Sequence, residues 1–327
     1  MLAGIAGTHL PFRSSGRRVA ISGSSMSVIA QDAVVTRGKL SLGSLLSPAI
    51  LGILPFFVFA LLFLILPTCI LMVGAFQDKA GNFTLASLAN LLNQPQLLAS
   101  YWISIKISLA SAIGGALFGF LIAYAIVQGG LPAWVRPSVL TFSGVASNFA
   151  GVPLAFAFLA TFGRVGLVTV LLRDWFGVNI YSHDIGFNLL SFTGLTLTYL
   201  YFQIPLMVLI IVPALEGLKR EWREASQILG GTNFHYWRYV AMPVLWPSIL
   251  GAALLLFANS FGAVATAYAL TGSSLNIVTI QLFAQIRGDV LNDPNLGFAL
   301  AFGMILITCL SNGAYIWLRG RSERWLR

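Results

Sequence analysis

Six long apolar blocks dominate this sequence of 327 residues. Each block is near the length of about 20 residues that a helix needs to cross a bilayer. Charged residues make up only 9% of the chain, whereas soluble domains carry about 25%. The sequence therefore excludes a water-soluble fold and predicts an all-α polytopic membrane protein with six transmembrane helices. The predicted spans are about 48–76, 103–127, 138–162, 192–214, 244–270 and 297–318.

Residues 1–45, before the first span, are polar and rich in Ser and Gly. This composition is typical of a flexible tail. The first apolar block is too long for the core of a cleavable signal peptide, so we expect it to remain as a membrane anchor. The chain thus divides into a basic tail, 1–45, and a transmembrane domain, 46–327.

The basic residues predict the orientation, because Lys and Arg are retained on the cytoplasmic side of a membrane. With both termini on one side, that side holds 14 of the 19 basic residues and five of the ten acidic ones. The whole net charge of +9 therefore lies on one face. Both termini are predicted to be cytoplasmic, in a bacterial cytoplasmic (inner) membrane. Topology explains the basic charge, so no nucleic-acid partner is predicted.

The longest predicted cytoplasmic connection between spans is residues 216–243, and it concentrates charge and aromatic residues. Leu218 to Leu229 is predicted to be a short helix, with Trp222, Ala225, Ile228 and Leu229 on one face. Gly230 and Gly231 end it, because glycine adopts the left-handed conformation common at helix C-termini. A second short helix, about 234–240, leads to Pro243, which fits a first helical turn. Two short helices joined at a glycine corner suit docking to a partner.

The spacing within this connection resembles the EAA loop of binding-protein-dependent ABC transporter permeases. That pattern runs Glu-Ala-Ala, three residues, Gly, nine residues, Ile, one residue, Leu-Pro, and this sequence keeps every interval. Ser226, Val240 and Met242 stand where the pattern has Ala, Ile and Leu. The matching positions are Glu224, Ala225, Ser226, Gly230, Val240, Met242 and Pro243.

The resemblance implies the MetI-like permease fold and a set of partners. The loop would be the coupling element that docks on a cytoplasmic ABC ATPase dimer. A second permease subunit, identical or homologous, would complete the pathway within the membrane lipid. A periplasmic or extracellular solute-binding protein would deliver the solute. No cofactor would be bound by this chain, since ATP and Mg would be held by the partner ATPase.

Polar residues within the spans are the candidates for the solute pathway, because in hydrocarbon they need a partner or a water-filled cavity. Hydrogen bonding between helices is the alternative explanation for each of them. Gly115 and Gly119 form a GxxxG pair, which predicts a packing face. The pathway candidates are Ser147, Asn148, Tyr199, Tyr201, Gln203, Asn259, Ser260, Thr266 and Tyr268.

Neither a catalytic nor a metal site is predicted. The three histidines are far apart in sequence, with no HExxH arrangement, and no Gly-Lys pair is followed by Ser or Thr as a Walker A motif requires. No charge lies in the middle of a span, which disfavours an ion-coupled secondary transporter. An integral-membrane enzyme is the other alternative, with Glu224 and His235 as its only candidate residues.

The overall pattern most resembles permeases of the polyamine, phosphonate and iron(III) branch. A polyamine such as spermidine or putrescine is the first expectation for the solute, and a phosphonate or iron(III) is the alternative. Aromatic faces attract cations, and the spans contain tyrosines but no acids. The predicted outer loops could help to receive a binding protein. They carry Asp78, Asp174, Asp184, Asp289 and Asp293.

Overall fold

The computed structural model describes residues 48–78, 80–182, 186–272, 274–287 and 294–323. The predicted tail, 1–45, therefore lies outside the described residues. Within them, six helices are long and apolar enough to cross a membrane, as the sequence predicts. These candidate spans are Gly52–Gly74, Pro95–Gln128, Val152–Phe176, Phe192–Glu216, Asn233–Phe261 and Asn295–Leu318.

The described residues contain fourteen α-helices and two π-helical segments, Leu61–Ile65 and Trp237–Ala241. The α-helices are α1 Pro48–Ala60, α2 Leu66–Gly74, α3 Ala86–Asn93, α4 Pro95–Gln128, α5 Val135–Asn148, α6 Val152–Phe162, α7 Leu167–Phe176, α8 Phe192–Glu216, α9 Arg220–Ile228, α10 Asn233–Tyr236, α11 Met242–Phe261, α12 Val264–Thr271, α13 Val278–Arg287 and α14 Pro294–Glu323.

The chain divides into two compact units, one ending at Leu62 and one beginning at Phe63. The first unit contains α1, where the rings of Phe56 and Phe57 meet edge to face at 6.0 Å. In the second unit, α8 is the central span, because 56% of its apolar stretch of 18 residues is buried. This enclosure places polar residues of α8 within reach of neighbouring helices.

Helices α4 and α8 pack closely, and glycine makes the approach possible. A Cβ atom at Gly115 would lie 2.7 Å from Gln203 Cβ, and one at Gly119 would lie 2.5 Å from Met207 Cβ. Small residues allow helix backbones to approach closely in membranes. The prediction that Gly115 and Gly119 form a packing face is confirmed.

Span three consists of two helices, α5 and α6, separated by Phe149 to Gly151. Val139 and Leu140 of α5 pack with the second half of α8, whereas Leu154 and Ala155 of α6 pack with its first half. The helices α5 and α6 therefore run antiparallel to α8, each along one half of it. Length and hydropathy place the third candidate span at Val152–Phe176, later than the predicted 138–162.

Span five is divided in the same way into α11 and α12, separated by Gly262 and Ala263. Leu245 and Ala252 of α11 pack with the second half of α8, and Ala267 and Leu270 of α12 pack with its first half. The expectation that 138–162 and 244–270 are continuous helices is therefore wrong. Both spans are interrupted partway along α8.

Candidate functional site

The connection between α8 and α11 has the predicted helix, corner and helix. The first helix, α9, is Arg220–Ile228, slightly shorter than the predicted 218–229. The second, α10, starts at Asn233 and continues without a break through Trp237–Ala241 into α11. It is therefore the first part of the long span rather than a separate element. Pro243 lies in the first turn of α11, as expected.

The corner is made by Gly230 and the residues around it. Gly230 has a φ of +79°, in the left-handed region that favours glycine. The N–H of Gly231 donates to the carbonyl of Ser226 at 2.8 Å, which closes the end of α9. Thr232 starts α10 by accepting a hydrogen bond from the backbone N–H of His235. The backbone at Gly230 therefore has the positive φ for which a glycine was predicted there.

One face of α9 lines an apolar groove of about 780 Å³ against the start of α11. Ala225 and Ser226 lie on the α9 side of this groove, and Val240 and Pro243 lie on the other. Four of the predicted loop residues therefore share one surface. The small side chains at 225 and 226 leave the space between α9 and α11 open, which gives a physical reason for small residues at these positions.

The opposite face of α9 carries charge. Glu224 pairs with Arg220 at 3.6 Å, and both side chains are exposed. A separate ion pair joins Arg136 of α5 to Glu216 at the end of α8. Exposed pairs of this kind contribute about 0–1 kcal/mol. Glu224 therefore braces α9 only weakly and stays accessible at the surface.

The corner also presents apolar side chains to the outside. Ile228 is 85% exposed, Leu229 88% and Phe234 67%. The sequence predicts Ile228 and Leu229 on the apolar face of α9, but the exposure of Phe234 was not predicted. Ile228 and Leu229 lie outside the candidate spans, so a lipid environment does not account for their exposure, whereas Phe234 lies at the start of the candidate span Asn233–Phe261. Large apolar side chains exposed outside the membrane favour an interaction site.

The predicted pathway residues fall around the interruptions of spans three and five. Ser147 and Asn148 end α5, Asn259 and Ser260 lie at the end of α11, and Thr266 and Tyr268 lie in α12. The remaining three, Tyr199, Tyr201 and Gln203, lie in α8 between the two interrupted spans. The fold thus brings residues that are far apart in sequence to one region of the bundle.

Hydrogen bonds join the two interruptions to each other and to α8. The N–H of Gly151 donates to Thr266 Oγ1 at 2.7 Å. The Tyr199 hydroxyl donates to the carbonyl of Ala263 at 2.7 Å. Interrupted helices free backbone groups that must be satisfied inside a membrane. These two side chains satisfy one group in each interruption.

Other predicted residues are also held within the bundle. The Gln203 side chain is fully buried, and its Nε2 donates to the carbonyl of Leu256 at 2.8 Å. Ser260 is buried and donates to the Leu256 carbonyl at 3.2 Å. The Tyr201 ring meets the rings of Phe149 and Phe158 edge to face. In this chain these side chains support the helices around the interruptions.

Three of the predicted residues are exposed instead: Asn148, Asn259 and Tyr268. The Asn148 amide donates to the carbonyl of Gly144 at 2.9 Å, and the ring of Tyr268 lies 4.8 Å from that of Phe283. Ser147, beside Asn148, is half-buried. An exposed amide partway along a span needs water or a further polar partner. These residues are therefore the best placed to face a polar pathway.

A row of buried serines on α4 was missed by the sequence analysis. The row is Ser100, Ser104, Ser108 and Ser111, whose spacing of four, four and three residues places them on one helix face. Ser104 Oγ accepts from the N–H of Val278 at 2.9 Å, and Ser260 Oγ lies 3.4 Å from the Ser108 carbonyl. That spacing was the signal that could have revealed them.

Of the predicted outer-loop aspartates, Asp78 and Asp174 are described and exposed. Asp174 accepts from Arg173 Nε at 3.0 Å. Asp184, Asp289 and Asp293 lie outside the described residues.

Known proteins resemble this chain in sequence. No protein-family model matches it. A probable sulfate transport system permease of Nephroselmis olivacea is 26% identical over 211 residues, 64% of this chain and 69% of that protein. A spermidine/putrescine transport system permease homologue of Mycoplasma pneumoniae is 27% identical over 77% of this chain and 84% of its own length. A putative ferric transport system permease of Haemophilus influenzae is 23% identical over 80% of this chain, but over only 41% of that protein.

The fold also matches a solved structure. A chain of a bacterial ABC transporter involved in the import of the acidic polysaccharide alginate superposes with a TM-score of 0.61 at 16% identity. The match covers 84% of this chain and 95% of that one, and it is consistent with the predicted MetI-like fold. The fold and the relatives are those of multi-pass membrane permeases of transport systems, and the chain is similar in fold to a permease of an ABC importer.

Proposed function

We propose that residues 216–243 couple this permease to a cytoplasmic ABC ATPase dimer. The observation that carries the proposal is the exposed apolar corner of Ile228, Leu229 and Phe234, beside Gly230. In the proposed orientation, with both termini in the cytoplasm, this corner faces the compartment that supplies ATP. The ATPase would hold ATP and Mg, and no cofactor would be bound by the permease.

We also propose that the chain supplies half of the solute pathway. A second permease, identical or homologous, would supply the other half, and a solute-binding protein would deliver the solute from outside. The exposed Asn148, Asn259 and Tyr268 would face the pathway. Tyr199, Gln203 and Thr266 would hold the interrupted spans in place. The full proposed set is Ser147, Asn148, Tyr199, Tyr201, Gln203, Asn259, Ser260, Thr266 and Tyr268.

The proposed solute is a small polar or charged molecule or ion, and a polyamine remains the first candidate. The relatives include permeases named for sulfate, spermidine/putrescine and ferric transport, so they do not agree on the sign of its charge. The exposed pathway candidates are neutral. Carbonyl oxygens and tyrosine rings can attract a cation, which favours a polyamine, whereas amide and hydroxyl groups can also donate to a phosphonate or sulfate.

Coupling is tested by co-purifying the tagged permease with the proteins of its own operon. Leu229→Ser should lose the associated ATPase, because it removes an apolar side chain from the corner. Leu131→Ser is the matched control, since Leu131 is also exposed and lies between α4 and α5. Recovery of the ATPase with Leu229→Ser would contradict the proposal, as would equal loss in both variants.

Solute uptake is measured with labelled putrescine, sulfate, phosphonate and iron(III) in cells that express the whole operon. Uptake of putrescine that falls in Asn148→Ala and Asn259→Ala variants would support a polyamine pathway. Saturable uptake of one of the anions or of iron, without putrescine uptake, would overturn the polyamine assignment and keep the permease function.

A further inference from the structure

A second pocket, polar rather than apolar, lies on the other side of α9. It has a volume of about 530 Å³ and is lined by Gln128, Lys219, Arg223, Gln227 and Tyr236, among others. Gln128 is the last residue of α4, and Lys219 immediately precedes α9. The pocket is therefore formed by the ends of two spans and the start of the connection. It is separate from the exposed corner and from the interrupted spans.

The charge in this pocket is mainly positive. Lys219, Arg220 and Arg223 line it together with a single carboxylate, Glu224. Glu224 is paired with Arg220, and nearby Glu216 is paired with Arg136. Among the residues that the structure describes, no carboxylate forms an ion pair with Lys219 or Arg223. These two cations are therefore available to an anion.

Hydrogen-bond donors surround these cations. Gln128, Gln227 and Tyr236 also line the pocket, and their side chains carry N–H or O–H donors. Lys219 is also the N-cap of α9 and gives it no side-chain hydrogen bond. Arginine and such donors together are suited to a phosphate group.

The position of the pocket favours a lipid as the source of that phosphate. Gln128 and Leu218 line the pocket close to where α4 and α8 end, which is the level of lipid headgroups in a membrane. Basic pockets between transmembrane helices on the cytoplasmic side bind anionic headgroups. The charge asymmetry of the sequence predicts that this end of the bundle is cytoplasmic.

We propose that the pocket formed by Gln128, Lys219, Arg223, Gln227 and Tyr236 binds the phosphate group of an anionic phospholipid. The bound lipid contacts α9 on the face opposite the apolar groove. Lipid composition therefore affects the position of the connection. The site belongs to the permease alone and does not require the proposed ATPase contact.

The test uses the purified full-length permease in detergent, with phosphatidylglycerol and phosphatidylcholine as the probes and native mass spectrometry as the readout. The wild type should retain phosphatidylglycerol in preference to phosphatidylcholine. The Lys219→Gln, Arg223→Gln double variant should bind phosphatidylglycerol about 30-fold more weakly, since each basic residue near an anionic surface contributes about 1 kcal/mol. Its unfolding temperature shows whether it folds.

Arg238→Gln is the matched control, because Arg238 is exposed on the same connection but does not line the pocket. It should keep the preference for phosphatidylglycerol. A second arm adds inorganic phosphate. Phosphate binding that depends on Lys219 and Arg223, without a lipid preference, would support the site and assign it to free phosphate. Equal binding of both lipids by the wild type without phosphate binding, or equal effects of the control and the double variant, would overturn the proposal.

Discussion

Gly151 and Gly230 have the same positive φ, +79°, but their surroundings differ. Gly151 interrupts span three, and its N–H donates to Thr266. Gly230 forms the exposed corner of the connection, where an added Cβ would meet nothing within 4 Å. The chain itself fixes the first turn and leaves the second open. In the proposed function, the first turn belongs to the solute pathway and the second contacts the ATPase.

The largest loss of stability is expected from a substitution at the close contact between α4 and α8. Gly119→Ala would place a Cβ 2.7 Å from the Ile204 carbonyl oxygen as well as against Met207, and overpacking of this kind costs about 3 kcal/mol. The unfolding temperature of the purified protein should fall by several degrees.

Gly313→Ala is the control for that variant, because a Cβ at Gly313 meets nothing within 4 Å. Alanine favours helix over glycine by about 1 kcal/mol, so this variant should be unchanged or more stable. Equal loss of stability in the two variants would show that α4 and α8 are not packed as described.

The next largest effect is expected at the hydrogen bond between the interruptions. Thr266→Val removes the acceptor of the Gly151 N–H and leaves that donor unsatisfied, which costs about 1–3 kcal/mol. The free energy of unfolding should fall by this amount in a denaturant titration. Thr271→Val is the control, because Thr271 is also buried in α12 but only donates to the Ala267 carbonyl of its own helix. A smaller effect at Thr266 than at Thr271 would contradict the role of this bond.

The comparison of the two glycines can be tested directly. Alanine at a positive φ costs about 1–3 kcal/mol, and Gly151 combines its positive φ with a ψ of −150°, which essentially only glycine adopts. At Gly151 the turn is held by the hydrogen bond to Thr266 and cannot relax freely, so Gly151→Ala should lower the unfolding temperature. At Gly230 the exposed corner can relax, so Gly230→Ala should change stability little but reduce stimulation of the ATPase by the solute.

Gly130→Ala provides the control for the corner. Gly130 has a φ of +61° and open space around it, but lies outside the connection of residues 216–243. It should affect neither stability nor ATPase stimulation strongly. If Gly130→Ala and Gly230→Ala reduce stimulation equally, the corner has no special role in coupling.

The smallest effect is expected at the ion pair of α9. Glu224→Gln should change the free energy of unfolding by less than about 0.5 kcal/mol, because an exposed helix pair contributes only that much. Arg220→Gln should give the same small change. A loss of stability above about 1 kcal/mol in a denaturant titration would mean that Glu224 is a structural residue rather than an accessible one.

The connection shows how far local patterns reach. The glycines at 230 and 231 and the proline at 243 predicted the corner and the start of α11, because backbone preferences act within a few residues. The exposure of Ile228 and Phe234 could not be predicted in this way. It depends on the distance between α9 and α11, which the local pattern does not specify.

The interrupted spans show more clearly what the sequence alone could not predict. Hydropathy located six spans, since the cost of placing polar backbone and side chains in hydrocarbon acts along the chain itself. It did not predict that Thr266 would accept a hydrogen bond from the N–H of Gly151, 115 residues away in sequence. Nor did it predict that the Tyr199 hydroxyl would donate to the carbonyl of Ala263. Those pairings arise only when α8 packs between the two spans. The number of spans thus follows from local hydropathy, and the places where two of them are interrupted follow from contacts between distant helices.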